Sequence, residues 1–297
     1  SLNVPLENYK KKMTKKTKSI FLINVLGISE NLEEISKFAK KNNLILFEDN
    51  CESLGAKYNN KYLGTFGDFS SFSFFYSHQI TSGEGGMVCC KNRNDYEILF
   101  ELRSHGWHGG AMSYNRDLKL YNKIIKKNKS LNPKYIFTNS GFNLRPTDIQ
   151  AAIGLSQFKS LNIFKKNRVY NKNKICNFLK SHNKWNNQFD FIIHNNKVDP
   201  SYMCLPMLVA NKFINKKYKF LTHLEKNGIE TRPIISGSFN NQPAYKLYKL
   251  EKYNQKFFQN SQEVQDRGFV IGLHKDKISN KKLNFLVNKL IDIENIK

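Results

Sequence analysis

A β-α-β pattern near the start of the chain limits the possible folds more than any other feature. Residues 18–25 form a short apolar run with β-branched and aromatic members, as is typical of a buried parallel strand. An amphipathic helical pattern follows Asn31, and Glu34 three residues later predicts a capping box. Residues 44–47 form the next apolar run. Because parallel strands need a crossover connection, the pattern predicts an α/β fold with a parallel sheet.

Two polar stretches come directly after predicted strands. Residues 48–52, EDNCE, follow the second strand, and in parallel sheets ligands gather beyond the carboxyl ends of the strands. Residues 72–88 read FSFFYSHQITSGEGGMV, which predicts two strands around a glycine turn with His78 at the mouth of the first. Both stretches are therefore candidates for a functional site.

The rest of the chain predicts a larger and a smaller α/β region. We expect a helix over residues 95–102, a long polar loop over 109–138, a helix from Pro146 to beyond Phe164, a strand over 229–235 and a last helix over 281–293. The composition changes after about residue 180, and we expect a domain boundary near residues 155–180. We accordingly divide the chain into a large domain, residues 1–165, and a small C-terminal domain, residues 166–297.

The chain is strongly basic, with 48 Lys and Arg against 24 Asp and Glu and a formal net charge of +24. Such a charge can mark a polyanion-binding protein. Here the lysines are spread over the whole chain, and the densest basic stretch, residues 119–134, lacks the interleaved aromatic residues of a single-strand binding platform. A biased composition explains the charge better, and nucleic-acid binding stays a remote alternative.

The five cysteines are scattered and contain no CxxC pair, which predicts reduced thiols in a cytosolic protein without a metal site. No apolar run is long enough for a membrane helix, and the start shows no secretory pattern. These features favour a cytoplasmic globular protein.

Five motifs in order along the chain carry a family resemblance: LFEDNCESLGAKYNNKYLGTFGDFSSFSFF, SHQITSGEGGMV, LRSHGW, GFNLRPTDIQAAIG and TRPIISGSF. Together they resemble the sugar aminotransferase and dehydratase family of pyridoxal-phosphate enzymes. The resemblance covers nearly the whole chain. It implies the three-layer α/β architecture of fold type I, with a large cofactor-binding domain and a smaller C-terminal domain.

In that family the residue matching His78 is normally the lysine that forms a Schiff base with the cofactor. The histidine resembles the 3-dehydratases that act on nucleotide-linked 4-keto-6-deoxy sugars, in the biosynthesis of dideoxy sugars of the O-antigen. An imidazole cannot form the Schiff base, so the cofactor can stay as pyridoxamine phosphate. The resemblance implies that His78 takes a proton from the cofactor's methylene carbon and helps the sugar's 3-hydroxyl to leave, since histidine exchanges protons near neutral pH.

The resemblance also implies roles for four cofactor-binding residues. Asp49 matches the acid that pairs with the pyridine nitrogen, and Glu52 matches the residue that faces the ring's phenolic oxygen. Ser73 matches a hydroxyl that binds the cofactor phosphate. Asn143 matches an asparagine that reaches the phosphate of the partner subunit, which implies a homodimer with shared active sites.

Substrate recognition is assigned in the same way. His105 resembles a second histidine near the sugar, with a capping or surface role as the alternative. Arg232 could bind the phosphates of the nucleotide sugar with its planar fork, or form a structural ion pair. We expect a GDP-linked rather than a CDP-linked sugar, and L-glutamate as the amino donor that recharges the cofactor. A sugar aminotransferase of the same family is the alternative function.

The chain departs from the family pattern at its start. Relatives carry a further segment before the point that matches Ser1, with a phosphate-binding loop at a helix start and an aromatic residue that stacks on the ring. We therefore expect a truncated large domain with a cofactor pocket open on one side, and an inactive remnant is a further alternative. Cys176 and Cys204 do not supply the four clustered cysteines of the iron–sulfur relatives, which argues against a cluster.

Overall fold

The structure is a computed structural model that describes residues 2–108, 118–250 and 258–296. Its strands are β1 (Ser19–Ile23), β2 (Ile45–Asp49), β3 (Lys57–Tyr58), β4 (Lys61–Tyr62), β5 (Phe69–Ser73), β6 (Gly86–Cys90), β7 (Phe189–Phe191), β8 (Val198–Asp199), β9 (Cys204–Val209), β10 (Thr231–Arg232) and β11 (Gly268–Gly272). Its helices are α1 (Leu6–Lys12), α2 (Leu32–Lys41), α3 (Arg93–Leu102), α4 (Leu118–Lys127), α5 (Asp148–Phe158), α6 (Leu161–Lys180), α7 (Lys217–Lys226), α8 (Pro243–Leu247), α9 (Gln259–Arg267) and α10 (Asn280–Ile291).

The first sheet has the order β1-β2-β5-β6. Strands β1, β2 and β5 run parallel, which confirms the predicted β-α-β unit, and β6 returns antiparallel to β5 after the glycine turn. In the register, Asp49 lies beside Ile23 on one side and Ser71 on the other. The ends of β2 and β5 therefore meet at one edge of the sheet.

The two faces of this sheet differ. On one face, Ile20 and Leu46 are buried and belong to the same core cluster as Leu32 and Ile35 of α2. On the other face, Phe21, Phe47 and Phe69 stack in a row, with ring centroids 6.0 and 5.0 Å apart. This aromatic row lines an apolar groove whose remaining walls come from the following residues: Glu48, Ser70, Ser71, Val88, Asp95, Ile98 and Leu99.

The second sheet is antiparallel throughout and has the order β10-β11-β9-β7. Its central strands are almost continuously buried, with Met207 and Phe269 fully enclosed. Phe220 of α7 packs edge-on to Phe269 at 6.0 Å, and Val287 of α10 joins the same cluster. That cluster also contains the buried side of the first sheet, so one hydrophobic core runs through both regions.

A short third sheet, β4-β3-β8, joins the turn after β2 to the segment that leads into β9. Lys165 of α6 reinforces the junction, because its ammonium donates to the Gly55 carbonyl at 2.8 Å and pairs with Asp199 at 2.6 Å. The predicted division into residues 1–165 and 166–297 stays a prediction, and α6 runs without a break across this position.

The structure corrects the prediction for the start of α2. Asn31 lies in the left-handed region with φ 61° and makes no side-chain cap hydrogen bond, so the predicted capping box is wrong. A capping side chain needs an extended backbone at this position, which Asn31 does not adopt.

Two predictions for the middle of the chain are also corrected. The predicted helix from Pro146 past Phe164 is two helices, α5 and α6, and Pro146 lies before the first of them. The Thr147 side chain caps α5 in a capping box with Gln150. The predicted loop over 109–138 contains helix α4, while its residues 109–117 lie outside the described part of the chain.

Candidate active site

The sequence-predicted residues Asp49, Ser73 and His78 lie at the edge of the first sheet where β2 and β5 end. The strand register places Asp49 next to Ser71, two residues before Ser73. Beyond Ser73 the chain turns, and the backbone N–H of His78 donates to the Phe75 carbonyl at 3.1 Å. The parallel topology thus brings a carboxylate and an imidazole together from distant parts of the sequence.

Asp49 is half-buried and is held by two donors. Its Oδ1 accepts a hydrogen bond from the Cys51 backbone N–H at 3.0 Å and from the Ser71 hydroxyl at 3.3 Å. Both donors orient the carboxylate from its own strand end and from the neighbouring strand. Ser71 was not among the predicted site residues, although its place two residues before Ser73 puts it on the same face of β5.

His78 is half-buried, with its ring edge-on to Phe75 at a centroid distance of 5.8 Å. Burial lowers the pKa of His78 below its ordinary value, and a hydrogen bond to the Ser73 backbone and the charge of Asp49 oppose this with smaller effects. The ring is therefore within electrostatic reach of Asp49. Its Nδ1 is buried and has no hydrogen-bond partner among the described residues.

Glu52 lies in the turn after Asp49 and faces the 3-10 turn that follows β1. Its Oε2 accepts a hydrogen bond from the backbone N–H of Leu26 at 3.1 Å. Burial raises the pKa of Glu52, the Leu26 hydrogen bond opposes the rise, and the charge of Asp49 adds to it. The arrangement keeps a partly buried carboxyl group close to the Asp49 carboxylate.

Glu48, a neighbour of Asp49, has a structural role that the sequence did not reveal. Its side chain is buried and accepts backbone hydrogen bonds from Gly64 at 2.8 Å, Phe66 at 2.7 Å and Gly67. A buried carboxylate is stable when several donors surround it. Successive side chains of a strand point to opposite faces, so Glu48 and Asp49 face different sides of the sheet. This alternation could have predicted that Glu48 is buried in the core and does not share the site of Asp49.

The Ser73 side chain is half-buried and accepts a hydrogen bond from the Phe75 backbone N–H at 3.2 Å. A hydroxyl that accepts one bond still has its own O–H to donate. The side chain can therefore donate to a ligand oxygen at the end of β5.

His105 and Asn143 lie together on two adjoining loops. Ser104 and Asn143 form an antiparallel bridge, and the His105 backbone N–H donates to the Phe142 carbonyl at 2.7 Å. Both side chains are exposed, and within the described chain neither forms a hydrogen bond with Asp49 or His78.

A buried cluster fixes these two loops to the end of α3. The Glu101 carboxylate accepts hydrogen bonds from Asn139 at 2.8 Å, from the Thr138 hydroxyl and from His108 Nδ1. Burial opposes ionisation of Glu101, but these three bonds together lower its pKa. Gly106 is required here, because its φ is 78° and a Cβ would lie 1.6 Å from the Asn139 carbonyl oxygen.

Arg232 extends from the second sheet towards the turn that carries His78. Its Nη2 donates to the Tyr76 hydroxyl at 3.2 Å and to Glu230 at 2.7 Å, and its Nε donates to the same carboxylate at 2.9 Å. The tyrosine hydrogen bond and the carboxylate raise the pKa of Arg232. The expected alternative of a structural ion pair is present, and the side chain remains exposed beside the site.

All five cysteines fall in the described part of the chain and are free thiols. Among the described residues, no three His, Cys, Asp or Glu side chains are grouped so that they could hold a metal ion. In the same residues no helix has the length and apolar content of a membrane span.

Comparison with known proteins identifies close relatives. GDP-4-keto-6-deoxy-D-mannose 3-dehydratase of Escherichia coli O55:H7 (strain CB9615 / EPEC) is 31% identical over 278 residues, which are 93% of this chain and 68% of the relative. The solved structure of the E. coli enzyme with bound hydrated PLP matches with a TM-score of 0.79 at 30% identity, over 97% of this chain and 71% of the other. GDP-perosamine synthase of Escherichia coli O157:H7 is 28% identical over 252 residues, 85% of this chain and 58% of the relative.

These similarities confirm the expected fold-type-I architecture. The model of the DegT/DnrJ/EryC1/StrS aminotransferase family matches residues 1–290, which is nearly the whole chain. The chain is therefore a member of the DegT/DnrJ/EryC1/StrS aminotransferase family.

Proposed function

We propose that this protein is a pyridoxamine-phosphate-dependent 3-dehydratase of a nucleotide-linked 4-keto-6-deoxy sugar, with GDP-4-keto-6-deoxy-D-mannose as the substrate. The observation that carries the proposal is His78, an imidazole at the end of β5 within electrostatic reach of Asp49. The 3-dehydratase relative at 31% identity supports the substrate class.

The residues at the sheet edge fit the cofactor by the chemistry of their side chains. Asp49 offers an oriented carboxylate to the pyridine nitrogen, Glu52 a second carboxyl group to the ring oxygen, and Ser73 a hydroxyl to the phosphate. The buried, unpartnered Nδ1 of His78 leaves a polar atom available to a ligand. When bound, pyridoxamine phosphate supplies the amine that condenses with the 4-keto group and a ring that accepts electrons.

His78 acts as base and acid in this proposal. Because burial lowers its pKa, the imidazole is neutral at pH 7 and can accept a proton at its buried ring nitrogen. It then returns that proton to the hydroxyl that leaves sugar carbon-3, so the proton is conserved between the two steps.

Arg232 is the proposed contact for the nucleotide diphosphate. Its guanidinium is exposed beside the His78 turn and is oriented by Tyr76 and Glu230. A planar fork of this kind suits phosphate oxygens. His105, exposed on its loop, is the proposed second histidine near the sugar, and L-glutamate is the proposed amino donor.

We also propose that the protein is a homodimer with shared active sites. No residue of α5 is buried, although the helix is mostly apolar, and Ile149 is 74% exposed. Leu144, Leu155 and Phe158 add to the same apolar region, and Asn143 directly precedes it. A second copy that covers this surface would bring Asn143 to the neighbouring cofactor phosphate.

The dimer can be tested with Leu155→Arg, which places a charge on the proposed interface. Light scattering should show a dimer for the wild-type protein and a monomer for the variant, because a buried unpaired charge is costly. The matched control is Leu247→Arg, which is similarly exposed on α8. A wild-type monomer, or a variant that stays dimeric, would refute the proposed interface.

The five free thiols support a reducing, cytoplasmic compartment for the enzyme.

The relative named GDP-perosamine synthase keeps a sugar aminotransferase as the second candidate. One incubation separates the two. The protein is mixed with pyridoxamine phosphate, L-glutamate and GDP-4-keto-6-deoxy-D-mannose, and the products are identified by mass spectrometry.

Release of ammonia with a 3-deoxy keto sugar supports the dehydratase. An amino sugar without loss of the 3-hydroxyl supports the aminotransferase. Unreacted nucleotide sugar at saturating cofactor would refute both for this chain.

A further inference from the structure

Gln79 follows His78 directly and is 2% exposed. Its side-chain nitrogen donates to the backbone carbonyl of Glu52 and, at 3.0 Å, to that of Ser201. Because both neighbours are acceptors, only the NH₂ end of the amide can face them. Gln79 thus ties the backbone next to His78 to the turn that follows Asp49.

The backbone of Gln79 is held as firmly as its side chain. Arg168 of α6 donates from Nη1 to the Gln79 carbonyl at 3.1 Å and from Nε to the Leu273 carbonyl at 3.1 Å. Hydrogen bonds from a charged donor are among the stronger ones in proteins. The residue beside His78 is therefore connected to α6 and, through Leu273, to the end of β11.

The acceptor at Ser201 is itself fixed. Its hydroxyl donates to the Leu54 carbonyl at 2.6 Å, and its backbone N–H donates to the Gly27 carbonyl at 3.2 Å. Gly27 has φ +72°, and a Cβ on it would lie 2.1 Å from the Ser201 carbonyl oxygen. The two backbones can approach this closely only with glycine at that position, so the Gln79 amide bonds to a rigid part of the core.

The His78 ring has few anchors of its own. Its side chain contacts Phe75 edge-on at 5.8 Å and lies beside the Ser73 backbone, while its Nδ1 has no hydrogen-bond partner in the described parts of the chain. The position of the imidazole therefore depends on the backbone that carries it, and Gln79 is the buried residue that fixes that backbone.

We propose that Gln79 is a positioning residue for His78, which it holds at a fixed place relative to Asp49 and Glu52, with Arg168 as the anchor of its backbone. The inference rests on the proposed function, since it assigns Gln79 to the proton transfer made by His78. A loss of this fixation should slow proton transfer and leave cofactor binding largely intact.

Gln79→Met tests the role, because methionine keeps the volume of glutamine and removes its amide. We expect kcat for dehydration to fall on the order of 10²-fold, since small misplacements of a reacting group can cost this much. KM and the dissociation constant for pyridoxamine phosphate, measured by fluorescence titration, should change little. Gln262→Met on α9 is the matched control, because among the described residues the Gln262 side chain bonds only to Asn241 and Asp266.

A double-mutant cycle separates positioning from general structural damage. If Gln79 acts through His78, Gln79→Met should slow the wild-type enzyme but not the residual reaction of His78→Asn. Equal slowing in both backgrounds, or a wild-type kcat in Gln79→Met, would overturn the proposal.

A measurement on the cofactor-free protein is independent of the reaction. NMR titration of labelled histidines should show the His78 pKa returning towards its ordinary 6.5 in Gln79→Met, as the ring becomes more exposed. An unchanged titration would overturn the positioning role, whereas a wild-type enzyme that makes no deoxy product would refute only the proposed function. If Gln79→Met does not fold, the same measurements are made on Arg168→Lys. A lysine cannot donate to the Gln79 and Leu273 carbonyls at once in the way that the guanidinium does.

Discussion

The two four-stranded sheets of this protein are covered in different ways. The antiparallel β10-β11-β9-β7 sheet is enclosed, and its Phe269 is 0% exposed. Within the described residues, the β1-β2-β5-β6 sheet packs into the core on one face, while its other face lines an open groove in which Phe21 is 61% exposed. The enclosed sheet contributes fully buried side chains such as Met207 and Phe269, while the half-covered sheet carries Asp49 and His78 at its edge.

The two sheets should therefore contribute differently to the stability of the fold and to the activity of the protein. Burial of apolar side chains is the dominant favourable contribution to folding, so substitutions in the enclosed sheet should lower the free energy of unfolding. The edge of the half-covered sheet contains oriented polar groups, which are typical of functional sites and contribute little apolar burial. Substitutions there should lower activity and leave the fold intact.

The largest loss of activity is expected for His78→Asn, at the edge of the half-covered sheet. Removal of a general acid–base group typically lowers the rate by about 10²- to 10⁴-fold. We expect this loss in kcat for dehydration, with an unchanged denaturant midpoint because the ring is only half-buried. His274→Asn, an exposed histidine beyond the second sheet, is the control. A variant that keeps its rate would show that His78 is not the proton-transfer group.

A pair of phenylalanine substitutions compares the two sheets directly. Phe269→Ala should lower the free energy of unfolding by about 3–5 kcal/mol, because it opens a cavity in an enclosed core. Phe21→Ala should lower it by less than about 1 kcal/mol, since most of the ring is already exposed. Urea unfolding of both variants measures the difference. Equal losses would mean that the aromatic row Phe21, Phe47 and Phe69 is covered in solution.

The smallest predicted effect concerns pH. His78 must be neutral to act as a base, and burial places its pKa in the folded protein below 6.5. As the pH falls, the rate should therefore drop through that lowered pKa, with its midpoint below the 6.5 of an ordinary histidine. A profile of kcat/KM from pH 5 to 8, with the unfolding midpoint followed over the same range, measures this. A fall in kcat/KM with a midpoint above pH 6.5 would contradict the lowered pKa of His78.

Local patterns predicted much of this architecture. Hydrophobic periodicity located β1, α2 and β2, and the crossover rule predicted their parallel order. The position of Asp49 and His78 at one sheet edge followed from the same topology. Two local predictions failed. Asn31 takes a left-handed backbone in place of the extended cap, and α5 ends at Phe158 before the expected helix does.

The contacts that organise the site were the hardest to predict. Gln79 and Ser201 are separated by more than a hundred residues, and neither belongs to a motif that indicates the other. The same applies to Arg232 of β10 and Tyr76 of the turn after β5, which form a hydrogen bond although they are 156 residues apart. Single-sequence patterns describe neighbours along the chain, so partners brought together by packing leave no such signal.

The proposal that His78 leaves the cofactor without a covalent anchor can be tested by borohydride reduction. The protein is incubated with pyridoxal phosphate, reduced and digested, and the peptides are analysed by mass spectrometry beside those of His78→Lys. We predict no phosphopyridoxyl group on any wild-type peptide at stoichiometric yield, and one group on residue 78 of the variant. A stoichiometric phosphopyridoxyl-lysine in the wild-type protein would contradict the account.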